Sequence, residues 1–255
     1  MCYAYDAVPP LPPDAGTPRP GEQVVLTASD GANLLAWRAE AEHPTGAGVV
    51  ILPDARGLFG FYQRLAEQFA ALGVDAVAID YFGRTTDAAG RGEDFDHMSH
   101  LRQTTHETVG ADVAAGVTHL RSRGRARSVF TVGFCFGGSH SFLQTPRSEL
   151  GLAGVIGFYG GMKGRSEDAP TPITAAPHAT APVLGLFGGA DQSIPIEQVE
   201  QFTAGLNASG VEHTVHVYPG APHSFFDRAY ADFADECADA WRRMREFINA
   251  HTTVG

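Results

Sequence analysis

The residues with most capacity for chemistry lie in Thr131-Val132-Gly133-Phe134-Cys135-Phe136-Gly137-Gly138. This stretch has the form of a nucleophile elbow, G-x-S-x-G, with cysteine in place of serine. An apolar, β-branched run from Val129 to Val132 leads into it as a strand would. Gly133 and Gly137 flank the cysteine, where a sharp strand-to-helix turn leaves no room for side chains. Such a turn holds a reactive atom above the sheet, with backbone N–H groups and a helix N-terminus directed at the same point. A thiol gains twice there: the helix N-terminus favours its thiolate, and a thiolate is more nucleophilic than a hydroxyl. Taken by itself, the pentapeptide is equally compatible with a buried, inert cysteine in a glycine-rich turn.

A thiol nucleophile needs a base within hydrogen-bond reach, and the base needs an acid to orient it. Leu186-Phe187-Gly188-Gly189-Ala190-Asp191 places Asp191 at the carboxyl end of an apolar run, in a turn that two glycines permit. Alone, Asp191 is as well explained as the cap of a helix beginning near Pro195. Val217-Tyr218-Pro219-Gly220-Ala221-Pro222-His223-Ser224-Phe225 puts His223 in a proline-stiffened loop after another apolar run. A lone loop histidine is ordinarily a solvated surface residue. Nucleophile, acid and histidine, each after a strand and in that order, follow the order of α/β-hydrolases. That agreement assigns Cys135, His223 and Asp191 as a catalytic triad.

Positioning these residues at one sheet edge requires alternating strands and helices. Two short strands, 23–27 and 33–38, flank the turn Ser29-Asp30-Gly31. A continuous β-branched run at 48–52 reads as a buried parallel strand. Helical periodicity covers 61–72, with Gly73 as its stop, and a strand follows at 74–79. Residues 81–107 are polar, glycine-rich and histidine-containing, a loop or short helix suited to the wall of a site. Helices at 108–121, from 136, at 196–207 and at 230–250 alternate with strands at 128–132, 152–158, 182–187 and 212–218. The pattern predicts one α/β domain over 21–255, its mostly parallel sheet covered on both faces, preceded by a proline-rich arm over 1–20. No internal repeat or linker divides it.

Composition excludes several function classes. A formal net charge of −11 is the wrong sign for a nucleic-acid face or for an anionic membrane. With 44% hydrophobic and 18% charged residues the composition is globular. No apolar run reaches the length of a membrane span. Cys2, Cys135 and Cys237 are odd in number and widely spaced, which indicates a reducing compartment rather than a disulfide framework. The N-terminal stretch lacks the basic and apolar regions of a secretory signal, so a cytoplasmic protein is expected. His97, His100 and His106 lack the partner ligands of a metal site and read as surface or pocket-wall positions. Gly57-Leu58-Phe59-Gly60 lacks the Gly-Lys-Ser/Thr ending of a phosphate loop. Cys2 and Cys237 read as structural or incidental.

The elbow cysteine, Gly-Gly-Ala-Asp and Pro-His-Ser-Phe together resemble the dienelactone hydrolase family, over a span from about Gln23 to the C-terminal helix. The resemblance implies an α/β-hydrolase fold and cleavage of a lactone or carboxylic ester through a thioester acyl-enzyme, with no cofactor. It implies an oxyanion hole at the backbone N–H groups of Ala55 and Phe136. It aligns Asp54, in Pro53-Asp54-Ala55-Arg56-Gly57, with a family carboxylate that restrains the resting cysteine. Pairing with Arg56 or capping of the next helix are the alternatives for Asp54. Tyr159 matches a family tyrosine near the pocket, and Phe59, Phe134, Phe136 and Phe225 extend an aromatic lining. Of the family's two carboxylate-gripping arginines, one aligns loosely with Arg102. The other position holds Asp227, with Arg228 one step later. A rather apolar ester or lactone is therefore expected. Thioester hydrolysis, acyl transfer to another acceptor and ligand binding without catalysis are the alternative functions, and monomer and dimer both stay open.

Overall fold

Alternation within single strands sets the layers. A computed structural model describes residues 7–13, 16–86, 94–164 and 168–253, so Cys2 lies outside the described residues. In β3 (Ala47–Leu52) every residue is buried. Val49 and Ile51 pack with the cluster containing Phe69 and Trp241, whereas Val50 and Leu52 pack with Val113, Val117 and Leu120 on the other face. A strand buried on both faces needs helices above and below it.

The strands are β1 (Glu22–Thr27), β2 (Asn33–Ala39), β3, β4 (Asp75–Ile79), β5 (Ser128–Phe134), β6 (Gly154–Phe158), β7 (Val183–Gly188) and β8 (His213–Tyr218). They form one sheet in the order β1-β2-β4-β3-β5-β6-β7-β8. β1 and β2 are antiparallel to their neighbours, and β3 to β8 run parallel. The helices are α1 (Gly60–Ala71), α2 (His97–Leu101), α3 (His106–Ser122), α4 (Phe136–Phe142), α5 (Pro172–Ala175), α6 (Ile196–Ser209) and α7 (Ala234–Ala250). Single α/β domain and α/β-hydrolase topology both follow.

The boundaries differ from the sequence reading where tertiary contacts decide them. β5 runs two residues past Val132, because Gly133 and Phe134 still pair with Gly157 and Phe158. α3 starts at His106 because Thr105 and Thr108 form a reciprocal capping box. Tyr230 to Asp232 form turns, and α7 begins only at Ala234. Within 81–107 the described residues give a 3₁₀ turn at Tyr81–Arg84 and then α2. The described part of the N-terminal arm crosses α1 and α7. Trp241 Nε1 donates to the Pro10 carbonyl at 2.9 Å, and Gln68 Nε2 to that of Pro9 at 3.3 Å.

The elbow is packed backbone against backbone. A Cβ on Gly137 would lie 2.1 Å from the Leu52 carbonyl oxygen, and one on Gly133 would lie 2.0 Å from that of Gly137. Gly137→Ala is therefore expected to cost more than about 3 kcal/mol in unfolding free energy, or to prevent folding. Gly60→Ala, at the start of α1 with only the Arg64 guanidinium at 3.5 Å, is expected to be neutral or slightly stabilising. Denaturant unfolding compares them, and equal midpoints would contradict this account.

Candidate active site

Cys135 occupies the turn between β5 and α4 with φ 53° and ψ −111°, a backbone conformation rare for a non-glycine residue. Its N–H donates to the Phe158 carbonyl at 3.1 Å, and its own carbonyl accepts from Ser139 N–H at 3.1 Å. The turn lifts the side chain off the sheet, so that Cys135 is part-exposed although all of β5 is buried.

The neighbouring loop is level with it. Leu52 pairs with Gly133, so Asp54 sits two residues beyond on β3 as Cys135 does on β5. Two tyrosines fix that loop. Tyr81 Oη donates to the Pro53 carbonyl at 2.9 Å, and Tyr62 Oη accepts from Asp54 N–H at 2.9 Å. Burial, aided by the charges of Asp54 and Asp112, holds the Tyr81 phenol well above its ordinary pKa, so it stays a donor. Asp54 is fully buried, and its Oδ1 accepts from Arg56 N–H at 2.8 Å. α1 begins after Phe59, not Asp54, so Asp54 closes its own turn and caps no helix. Ala55 is part-exposed, and its N–H has no protein acceptor among the described residues. The Phe136 N–H opens α4 beside it.

β7 and β8 deliver the other two groups. Their loops are joined by Gly189 N–H to Tyr218 O at 2.8 Å and Ala190 N–H to Ala221 O at 2.9 Å. Asp191 Oδ2 meets His223 Nδ1 at 2.7 Å, while Asp191 Oδ1 accepts from Ser193 N–H at 2.8 Å. The N-cap of α6 is Pro195 with no side-chain cap, so the helix-cap alternative for Asp191 is not what forms. Cys135 lies close enough to His223 to act on its charge. Burial pulls the His223 pKa down, but the bond to Asp191 and the influence of Cys135 outweigh it and raise it to about 10. Imidazole and carboxylate are thus joined, with the cysteine beside them, at the carboxyl edge of the sheet.

A second acid lies behind the imidazole. Asp227 is 1% exposed, and Tyr159 Oη donates to its Oδ2 at 2.9 Å. Burial pushes the Asp227 pKa up to about 7, with the Asp54 charge adding to the rise and the bond from Arg228 N–H opposing it.

The expected pocket aromatics divide. Phe136 is part-exposed, its ring 5.2 Å from that of Tyr81. Phe134, Tyr159 and Phe225 have no exposure, and Phe59 has 5%. Phe134 stacks on Phe158 at 4.7 Å and Phe225 meets Tyr159 at 5.6 Å. These rings are buried and pack against one another next to the His223 loop. Arg102 and Arg228 are exposed, the first just past α2 and the second beyond Asp227. His100 stacks on Phe95 at 4.9 Å and bonds Thr85, and His106 pairs with Glu107 at 3.0 Å. Among the described residues no three His, Cys, Asp or Glu side chains group to hold a metal ion. None of their helices is long and apolar enough to cross a membrane. Sequence reasoning missed Tyr62 and Tyr81. A polar aromatic directly after β4, at the edge where Asp54 lies, was the available signal for Tyr81. Cys237 is buried in α7, its thiol pushed up to about 12 by burial.

The His223 shift has a consequence for stability. A histidine whose folded pKa of about 10 exceeds its ordinary 6.5 stabilises the fold fully below pH 6.5, and loses that contribution as the pH rises toward 10. Asp191→Asn is expected to lower the His223 pKa, read by imidazole NMR. Its stability deficit against the parent is expected to be largest below pH 6.5 and to shrink toward pH 10. A deficit that grew with pH would contradict the assignment.

Comparison with known proteins identifies the family. A carboxymethylenebutenolidase of Rhodococcus opacus is 27% identical over 259 residues, covering all of this chain and 99% of its own. A Klebsiella pneumoniae subsp. pneumoniae MGH 78578 structure described as "putative dienelactone hydrolase" superposes with a TM-score of 0.77 at 25% identity, over 90% of this chain and 98% of its own. A dienelactone hydrolase-like promiscuous phosphotriesterase, P91, from metagenomic libraries shares the fold, with a TM-score of 0.75 at 21% identity over 92% of this chain and all of its own. The family model for dienelactone hydrolases matches residues 34–252. The chain belongs to the dienelactone hydrolase family and is a hydrolase of that kind.

Proposed function

We propose that this protein hydrolyses a lactone or carboxylic ester by covalent catalysis at Cys135, with His223 as base and Asp191 as its orienting acid. The observation that carries the reading is the His223–Asp191 hydrogen bond at 2.7 Å, with Cys135 in its elbow turn close enough to act on the imidazole. In the reactive form the thiol proton already resides on His223, whose raised pKa favours it there, and the thiolate sulfur attacks the carbonyl carbon to give a tetrahedral oxyanion. The N–H groups of Ala55 and Phe136 receive that oxyanion, the first in a loop that Tyr62 and Tyr81 pin. Collapse expels the alkoxide, which takes the proton from His223, and leaves a thioester. His223 then removes a proton from water as it attacks the thioester. The acid product leaves, and the sulfur regains its proton through His223.

Asp54 restrains the resting cysteine in this scheme. A buried carboxylate level with Cys135 disfavours a second anion there until substrate displaces the arrangement. The substrate is uncharged near its reacting carbonyl. Asp54 and Asp227 are buried beside the site, and a substrate carboxylate set against them would be disfavoured, although His223 and Arg56 are cations nearby. The apolar side chains of Leu58 and Phe136, both part-exposed, suit an apolar acyl or alkyl group. Acyl transfer to water is favoured here over a purely ligand-binding role because base and acid are bonded and the nucleophile lies beside them.

Two measurements test the reading. Cys135→Ala is expected to remove ester turnover by at least about a thousandfold with the fold intact, and Ala55→Pro, which deletes one oxyanion donor, by about a hundredfold. Full activity in Cys135→Ala would refute the scheme. In matched aryl-ester pairs differing by a terminal carboxylate, kcat/KM is expected to fall at least about tenfold for the anionic member. Equal rates, or a preference for the anion, would remove the assigned substrate class.

A further inference from the structure

The described residues outside glycine that adopt a left-handed backbone are Cys135, Tyr159 (φ 35°) and Ser224 (φ 62°). All three border the candidate site. Tyr159 directly follows β6, whose Phe158 carbonyl accepts the Cys135 N–H. Ser224 directly follows His223. Such conformations persist only where surrounding contacts over-determine them, and for Tyr159 and Ser224 those contacts converge on one residue, Asp227.

Asp227 Oδ2 accepts from Tyr159 Oη at 2.9 Å, and Oδ1 accepts from Arg228 N–H. The Ser224 carbonyl accepts N–H bonds from Asp227 and Ala229 at 3.2 Å each. The Tyr159 ring lies 5.0 Å from the His223 imidazole. The contacts close a circuit: Cys135, Phe158 and Tyr159, Asp227, Ser224, His223, and back to Cys135. Asp191 fixes the rotation of the imidazole through Nδ1, whereas the Asp227 circuit fixes the backbone from which the imidazole hangs. The two acids constrain different degrees of freedom of one base.

We propose that Asp227 is a positioning residue of the reaction: through Tyr159 Oη and the Ser224 turn it holds His223 in register with Cys135. It touches neither substrate nor sulfur in this role. The proposal rests on Cys135 and His223 acting as the reacting pair.

Steady-state kinetics with a neutral aryl ester test it, alongside iodoacetamide alkylation of Cys135 at pH 7 followed by peptide mass spectrometry. Asp227→Ala is expected to lower kcat about tenfold or more, with KM within about threefold, and to slow alkylation in parallel, as a small displacement of a reacting group does. Asp227→Asn, whose amide keeps a bond to Tyr159, is expected to recover most of that loss. Tyr159→Phe, which removes only the hydroxyl, is expected to reproduce it in part, and Asp227→Ala in that background is expected to add less than it does alone. A kcat within twofold of the parent for Asp227→Ala or for Tyr159→Phe would overturn the proposal, as would losses that multiply in the double variant. If Asp227→Ala does not fold, Tyr159→Phe decides by the same criterion. Cys135→Ala run in parallel separates the two levels: if it is active the catalytic reading fails, and if it is inactive beside a fully active Asp227→Ala only the positioning role fails.

Discussion

The close approach of three backbone segments at the end of β5 is the constraint on which the rest of the site depends. Gly137 packs on the carbonyls of Leu52 and Pro53, and Gly138 on that of Phe158. The turn at Cys135 can therefore be tight, and its left-handed conformation, which costs of order 1–3 kcal/mol, is held by its neighbours on both sides. Everything else is placed relative to that contact. The β3 loop falls level with the cysteine because β3 and β5 are paired up to Leu52 and Gly133. Tyr159 falls beside it because β5 and β6 are paired up to Phe134 and Phe158.

Three acids gather around this fixed point, together with the His223 imidazole and the Arg56 guanidinium over the Phe59 ring. Asp54, Asp191 and Asp227 are buried near the sulfur, and each is handled differently. Asp191 is paired with the imidazole, which it helps to raise to about 10. Asp54 accepts a backbone N–H in its own turn. Asp227, bonded to a phenol and a backbone N–H, is lifted to about 7. A buried carboxylate with a cationic partner keeps its charge cheaply, and one with only neutral donors does so at a cost. The site thus favours protonated His223 and disfavours further negative charge, which is the physical basis of the proposed preference for uncharged substrates.

The strands and helices were largely legible, because burial on one or two faces imposes period-2 and period-3.6 patterns on the chain itself. Val49, Val50, Ile51 and Leu52 read as a strand buried on both faces, and they are one. The elbow glycines and the order of cysteine, aspartate and histidine were legible for the same kind of reason: each requirement is local. The start of α7 was not, since nothing in Tyr230-Ala231-Asp232-Phe233 forbids a helix, and the turns there follow from how the chain leaves the His223 loop. Phenylalanine type does not distinguish a pocket wall from a core, and Phe134 and Phe225 are buried.

By itself, the sequence determined which residues stand at strand ends, because strand-end position is a property of neighbours along the chain. That is enough to name Cys135, Asp191 and His223 together. Only the tertiary structure decided what those residues touch. The Tyr81 to Pro53 bond spans 28 residues and the Tyr159 to Asp227 bond spans 68, separations at which residue type carries no pairing information. Which acid orients the histidine, and which instead ties its loop to Tyr159, was settled by the register of β5 to β8. Hydrogen bonds act over about 3 Å of space, and only the folded sheet sets that distance.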